Sequence, residues 1–483
     1  MKNIGNFPQI YPVACHTDNV GPDTTFVVIK GMKDDGLRYV SQALAKGAKK
    51  IVVEQSLEVP QTLESLIYEA GATVVRVENA RRSLAELSSA AFDHPASRVK
   101  IIGITGTKGK STTTFLLEHM LSTAGLRTAL ISTVANRICG VEFEAPLTTP
   151  QPDYLHVFFN ECIKAGVEVV VMETAAQAFS CHRVDGIMFD AAIFTNFSPE
   201  HGEFYATYDD YFEAKKMIIK HLKPGAPLVL NADDEKVAGL AALWPNPRMF
   251  TVMNNKGAHW ATSAQLLDSS VAGLTCAIEH FSQTYSVHAP MLMGTFNCAN
   301  IAAAATIAHE LGVSYITIAQ AVNSFKGVPG RLNKYDLPNN VTAFIDQAHT
   351  PSSFQASLET LRPLTDQLIV VFGCGGDRDT VKRPHMGRIA ASIADTVILS
   401  TDNPRSEDPV AITQAIYQGV EQKDLSKVMI ELDREKAIRK AYSIARPGAI
   451  IALLGKGVET YQIVGNQKIH FSEVEILQSV QSK

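Results

Sequence analysis

The stretch that most limits what this chain can fold into runs from Gly103 to Thr112 and reads Gly-Ile-Thr-Gly-Thr-Lys-Gly-Lys-Ser-Thr. It follows the apolar run Val99 to Ile104 and opens an amphipathic stretch, Thr114 to Ala124. A strand that turns through glycines into a helix aims backbone N–H groups and a helix amino terminus at one point, where phosphate oxygens bind. The expected contacts come from Gly106, Thr107, Lys108, Gly109, Lys110, Ser111 and Thr112. Lys110 would neutralise β/γ charge, and Ser111 could reach magnesium. The bland reading, a turn that merely needs glycine, is weakened by the order strand, glycines, Gly-Lys-Ser, helix. The ordinary spacing of Gly, four residues, Gly-Lys-Ser would put glycine where Ile104 stands, so the loop is a variant.

A parallel α/β architecture follows. At about 150 residues per domain, 483 residues predict three domains. Hydrophobic residues at 46% and charged residues at 19% belong to a soluble α/β protein. Strand-like runs at Phe26 to Ile29, Lys50 to Val53 and Ala72 to Val77, with a helical Ala80 to Phe92, predict a small amino-terminal α/β domain, residues 1–96. Val99 to Ile104, Val167 to Met172, Ala191 to Thr195 and Pro227 to Leu230 alternate with helices, predicting a central P-loop ATPase-type parallel sheet over 97–328. Leu368 to Gly373, Thr396 to Ser400 and Ala449 to Leu454 predict a carboxyl-terminal Rossmann-like domain over 329–483. A net charge of -5 without a long Lys/Arg run argues against nucleic acid. No segment reaches the roughly 20 apolar residues of a membrane span, so a cytoplasmic address is expected. The seven cysteines are odd in number and include no Cys-x-x-Cys pair, so they read as reduced thiols. Neither Cys181 nor Cys374 has the paired context of a nucleophile.

Three further residues lie where parallel sheets bind ligands. Glu173 ends an apolar strand, from which a carboxylate could hold magnesium. His201, in Thr195-Asn-Phe-Ser-Pro-Glu-His201, follows the next strand, and Lys215 sits on a predicted helix in Tyr211-Phe-Glu-Ala-Lys215. Taken singly, each is more often a solvated group.

Together these motifs resemble the Mur ligases of cell-wall biosynthesis over nearly the whole chain, most strongly Val99 to Lys215 and Gly294 to Gln462. The family's loop, Gly-Thr-Asn-Gly-Lys-Thr or close variants, accounts for the unusual spacing, with Lys108 in place of Asn. The resemblance implies ATP and magnesium, with Lys110, Glu173, His201, Lys215 and His349 as the catalytic set. Magnesium would be held by Ser111, Glu173, His201 and Lys215, the last as a carbamate formed with carbon dioxide, which turns a cation into an anionic oxygen ligand. Asn297 and Asn300, in Gly294-Thr-Phe-Asn-Cys-Ala-Asn300, match the adenine-side motif. Arg331 marks the domain junction, and Asp346, in Asp346-Gln-Ala-His349-Thr-Pro, stands near ribose and phosphate. Gln347 and Asn333 replace the usual Tyr and Glu.

In the meso-diaminopimelate-adding branch, residues matching Arg378, Asp402, Asn403, Arg405, Gly455 and Glu459 clasp the amino acid's distal zwitterion. A guanidinium for a carboxylate and a glutamate for an ammonium suit that ligand, whereas L-lysine would leave Arg405 unmatched. On the acceptor side Thr148, Thr149 and Arg183 remain. Glu173-Thr-Ala-Ala-Gln-Ala-Phe replaces the usual Glu-Val-Ser-Ser-His-Gly-Leu, and His16-Thr17-Asp18 stands where an Asp-Ser-Arg would serve uridine. The expected enzyme is a monomeric ATP-dependent amide ligase. It adds an amino acid to the glutamate of UDP-N-acetylmuramoyl-L-alanyl-D-glutamate through an acyl phosphate. A paralogue with another acceptor or amino acid, of folylpolyglutamate or specialised-peptide type, stays open, as does a nucleotide-binding regulator without turnover.

Overall fold

The computed structural model describes residues 7–31, 35–198, 204–253 and 262–481. The chain forms two compact units. One comprises Met1–Ala264 with Ile278–Tyr285 and Ala299–Ala321; the other comprises Gln265–Ala277, Ser286–Cys298 and Val322–Lys483.

The first unit begins with a four-stranded parallel sheet, β1 (Val13–Ala14), β2 (Thr25–Val27), β3 (Lys50–Glu54) and β4 (Thr73–Val77), in that order. Its core of Phe26, Val28, Ile51, Val53 and Ile67 also takes in Val157 from the helix Pro152–Ala165. The neighbouring Asp153 accepts the backbone N–H of Cys15 at 2.9 Å. The amino-terminal sheet is thus packed onto the central one by that helix. Proline at its first turn and Gly166 in the left-handed conformation just past its end set the helix's limits.

The central strands are β5 (Lys100–Thr105), β6 (Thr128–Ile131), β7 (Asn136–Ile138), β8 (Val141–Phe143), β9 (Val169–Glu173), β10 (Ala191–Phe194), β11 (Leu228–Asn231) and β12 (Arg248–Thr251). Their order is β12-β11-β10-β5-β9-β6-β7-β8; the pairs from β12 to β6 are parallel, and β7 and β8 form an antiparallel edge. β10 and β9, the latter apolar up to its last residue Glu173, are buried at every position, as such apolar runs require in a sheet covered on both faces. Gly103 lets the ring of Phe189 lie against β5, since a Cβ there would come within 3.0 Å of it. The sheet continues through Phe250↔Thr262 into β13 (Thr262–Ser270), followed by β14 (Gly273–His280) and β15 (Gln283–Ala289). The sequence reading does not anticipate these three.

The second unit carries β16 (Asn333–Leu337), β17 (Val341–Asp346), β18 (Leu368–Phe372), β19 (Thr396–Leu399), β20 (Val428–Ile430) and β21 (Ile450–Leu454) in the order β16-β17-β21-β18-β19-β20. Only the β16–β17 pair is antiparallel. β21 sits between β17 and β18, so the chain changes direction across the sheet there and opens a crevice at the strands' carboxyl ends. A two-stranded hairpin, β22 (Tyr461–Val464) with β23 (Gln467–His470), follows.

Candidate active site

In the first unit the loop after β5 is fixed from the side by the end of β10. Thr107 N–H donates to Asn196 O at 2.8 Å, Lys108 N–H to Asn196 Oδ1 at 2.8 Å, and Thr195 Oγ1 to Lys108 O at 2.7 Å. Gly106 has φ 138°, and a Cβ there would lie 2.0 Å from Thr195 Oγ1; Gly109 has φ 81° and would clash with Asn300 Oδ1 at 2.3 Å. Glycine is therefore required at both positions. The helix Lys110–Thr123 starts at Gly109 with no side-chain cap, which leaves its amino terminus to an anion. The loop fits a polyphosphate.

Two ammonium groups meet beneath it. Lys110 Nζ donates to the carbonyls of Gly106 and Thr107, both at 2.9 Å, and Lys215 Nζ donates to Gly106 O at 2.6 Å. Lys215 is 1% exposed and lies 4.5 Å from the centre of the Tyr211 ring. Its helix, Tyr208–Lys216, starts at a capping box made by Thr207 and Asp210, which fixes the turn that delivers it.

Glu173, fully buried at the end of β9, accepts Thr133 N–H at 3.0 Å and Thr133 Oγ1 at 3.1 Å. The Thr148 hydroxyl lies 3.1 Å from that of Thr133. Thr149 Oγ1 donates to the Glu173 carbonyl at 2.9 Å, and Arg183 donates to the Thr149 carbonyl at 2.9 Å. Thr148, Thr149 and Arg183, expected from the sequence on the acceptor side, are thus joined to Glu173 through one chain of hydrogen bonds. Thr133 is missing from the sequence reading, because it belongs to no motif and its partner is 40 positions away.

Ser111 and Glu173 supply the hard oxygen donors that magnesium prefers. Among the described residues no three His, Cys, Asp or Glu side chains gather to hold a metal. His201 lies outside the described residues. Asn300, 5% exposed, stands against Gly109 and near the Thr113 hydroxyl at 3.3 Å.

In the second unit, Asn297 donates to Met293 O at 2.7 Å. Asp346, at the end of β17, accepts Leu332 N–H at 2.6 Å and Ala348 N–H at 2.8 Å. Burial pushes its carboxyl up against the opposing pull of Arg331. His349 is exposed, its Nδ1 2.7 Å from Gln347 O, and its carbonyl accepts Lys382 at 2.9 Å.

The loops after β18, β19 and β21 bring the remaining candidates together. Arg405, held at φ 51°, donates to Gly376 O at 2.7 Å. Asn403 donates to Glu459 Oε2 at 2.8 Å and accepts Ile463 N–H at 2.9 Å. Gly455, at φ 109°, has its Cβ position 3.5 Å from Asp402 Oδ2. Arg378 is exposed on the Gly373–Arg378 loop. Arg383 closes that loop from below with a two-pronged pair to Glu407 at 2.8 and 2.9 Å, and Glu407 also takes Asp377 N–H at 2.6 Å. The thiol of Cys374 is buried and pushed up to about 12 by burial, so it is no nucleophile. All seven cysteines are free.

A profile of the Mur ligase middle domain matches residues 104–308, one of the Mur ligase glutamate ligase domain matches 330–457, and one of the Mur ligase catalytic domain matches 9–92. The chain belongs to the Mur ligase family. It is an ATP-dependent ligase that joins a carboxylate to an amine. A UDP-N-acetylmuramoyl-L-alanyl-D-glutamate--2,6-diaminopimelate ligase from Chlorobium phaeobacteroides is 35% identical, covering 97% of this chain and 91% of the relative. One of the same name from Bacillus licheniformis is 34% identical, covering 99% and 96%. A solved structure of a ligase of that name aligns with a TM-score of 0.68 at 27% identity, covering 98% and 95%. A MurF ligase from Thermotoga maritima in complex with ADP aligns at 0.63 and 20% identity, covering 94% and 95%, and shares the fold. The expected mixture of parallel α/β domains in a Mur ligase is borne out. Among the described residues no helix is long and apolar enough to cross a membrane.

Proposed function

We propose that this ligase adds meso-diaminopimelate to the glutamate of UDP-N-acetylmuramoyl-L-alanyl-D-glutamate in peptidoglycan precursor synthesis, with the domain limits 1–96, 97–328 and 329–483. The observation that carries the amino-acid choice is that Arg405, which donates to Gly376 O, and the Asn403–Glu459 couple both stand on the loops after β18, β19 and β21. A guanidinium and a carboxylate held on separate loops match the carboxylate and ammonium at the far end of diaminopimelate.

The chemistry follows from the residues. The loop N–H groups and Lys110 hold the triphosphate, and Lys110 offsets charge on the phosphoryl group as it moves to the acceptor carboxylate. Glu173, Ser111, His201 and a carbamylated Lys215 would hold magnesium, which when bound lowers the charge of the reacting oxygens. The amine then displaces phosphate from the acyl phosphate, and the amide forms. Thr148, Thr149 and Arg183 would orient the acceptor, while Asn297, Asn300, Arg331, Asp346 and His349 would serve the nucleotide side. The enzyme is read as a cytoplasmic monomer.

A second reading changes the acceptor. His16-Thr17-Asp18 carries no arginine where the usual Asp-Ser-Arg ends in one, and Asp18 lies 3.4 Å from His16 Nδ1 and 3.8 Å from Lys46. Phosphate release from ATP, measured with the UDP-muramoyl dipeptide and meso-diaminopimelate, L-lysine or no amino acid, separates the readings. Release dependent on diaminopimelate supports the first; none with any amino acid moves the acceptor elsewhere.

A further inference from the structure

We infer that Lys456, buried behind the amino-acid pocket, is a positioning residue that sets the pocket's net charge and holds Glu459 and Asn403 in their binding geometry. The inference rests on the amino-acid role proposed for those two residues. Lysine inside Gly455-Lys-Gly-Val-Glu459 would ordinarily be solvated, yet here the side chain is 0% exposed. Its ammonium lies 3.0 Å from Glu459 Oε2, 3.3 Å from Asn403 Oδ1 and 3.4 Å from Asp402 Oδ1. Three donors therefore meet three acceptors. The rings of Phe471 and Tyr461, with centres 5.8 and 6.0 Å away, close the remaining sides.

The charge balance explains why a cation is needed there. Asp402 and Glu459 would otherwise face each other as two anions in a partly buried crevice. One buried ammonium leaves a single negative charge, which matches the single ammonium at the distal end of a diamino dicarboxylic acid. It also fixes the Asn403 amide. Asn403 Oδ1 is taken by Lys456 and by Ile463 N–H, so Nδ2 must face Glu459 Oε2. Removing the cation frees both the carboxylate and the amide from their positions.

The test compares three proteins by steady-state kinetics: wild type, Lys456→Met, and Lys456→Met combined with Asp402→Asn. Lys456→Met is expected to raise the KM for diaminopimelate about 10- to 100-fold, the range for losing a charge-assisted hydrogen bond, while the KM for ATP stays within about two-fold. Adding Asp402→Asn removes the repulsion without restoring the Lys456 contacts, and lowers the diaminopimelate KM at least about three-fold below that of Lys456→Met. An unchanged KM in the single variant overturns the inference. So does a double variant that folds and stays as impaired as the single one. Should the single variant not fold, the double variant is compared with Asp402→Asn alone, and equal KM values for diaminopimelate in those two proteins overturn the inference. If wild type uses another amino acid, the diaminopimelate reading fails, and the same comparison run with that amino acid still tests Lys456.

Discussion

Replacing His156 by leucine should stabilise the protein and remove part of its sensitivity to acid. His156 lies in the helix Pro152–Ala165, is 0% exposed, and neither ring nitrogen has a hydrogen-bond partner among the described residues. Burial, helped by the nearby His94, lowers its pKa from 6.5 to about 4. The folded protein therefore binds this proton less well than the unfolded chain does. Stability from the neutral ring is fully present above pH 6.5 and is lost as pH falls through that value toward about 4. At about 1.36 kcal/mol per pKa unit, the difference between 6.5 and about 4 amounts to about 3 kcal/mol across that window. At pH 7.5 the change also removes buried nitrogens that lack partners, for a further gain of about 1–3 kcal/mol. Unfolding followed by tryptophan fluorescence in urea at pH 5, 6 and 7.5 measures both effects. The variant's advantage should widen as pH falls. Parallel stability curves for the two proteins would refute the reasoning.

Lys215→Ala should abolish amide formation, and added bicarbonate should not rescue it; a coupled phosphate-release assay reads both, and an undiminished rate would end the carbamate reading. Thr133→Val keeps the backbone N–H bond to Glu173 but removes the hydroxyl's bond at 3.1 Å, and should lower kcat by about 10-fold, with a smaller change in the KM for ATP. Arg405→Ala should raise the KM for diaminopimelate by about 10- to 100-fold and leave ATP binding alone, which calorimetry with a non-hydrolysable nucleotide checks. Glu473→Gln strands Arg434, fully buried and 2.8 Å from that carboxylate, and should cost about 3–5 kcal/mol in urea unfolding.

The parallel strands could be read from the sequence because each is buried on both faces and so carries no polar interruption. Leu368–Phe372 and Ile450–Leu454 are buried throughout, and their predicted limits differ from the structure by about a residue. β13 reads Thr-Ser-Ala-Gln-Leu-Leu-Asp-Ser-Ser, mostly half-buried or exposed, and offers neither an apolar run nor strict alternation. The hairpin β22–β23 is just as quiet, with β23 exposed at all four positions. β13 is held by its pairing with β12 of the large sheet, a partner that a local pattern cannot show.

The same division runs through the site. The phosphate loop was legible because it is one continuous segment whose glycines, lysine and helix start are all needed at fixed spacing. Residues that act through long-range partners left no trace: Asn196 pins Lys108 from 88 positions away, and Thr133 holds Glu173 from 40. Lys456 stands inside the motif Gly455-Lys-Gly-Val-Glu459, and nothing local in that motif sets it apart. Its residue type predicts solvent, and only the convergence of Asp402, Asn403 and Glu459 around it turns a surface cation into a buried one. Lys215 reverses the same expectation at the other site, where a lysine 1% exposed donates to a carbonyl of the phosphate loop. In both places a buried ammonium costs desolvation that only fixed oxygen partners offset. The two lysines whose burial local sequence predicts least are therefore those whose surroundings are most strictly arranged, and substitutions there should reveal more about the pocket than changes to exposed residues such as Arg378.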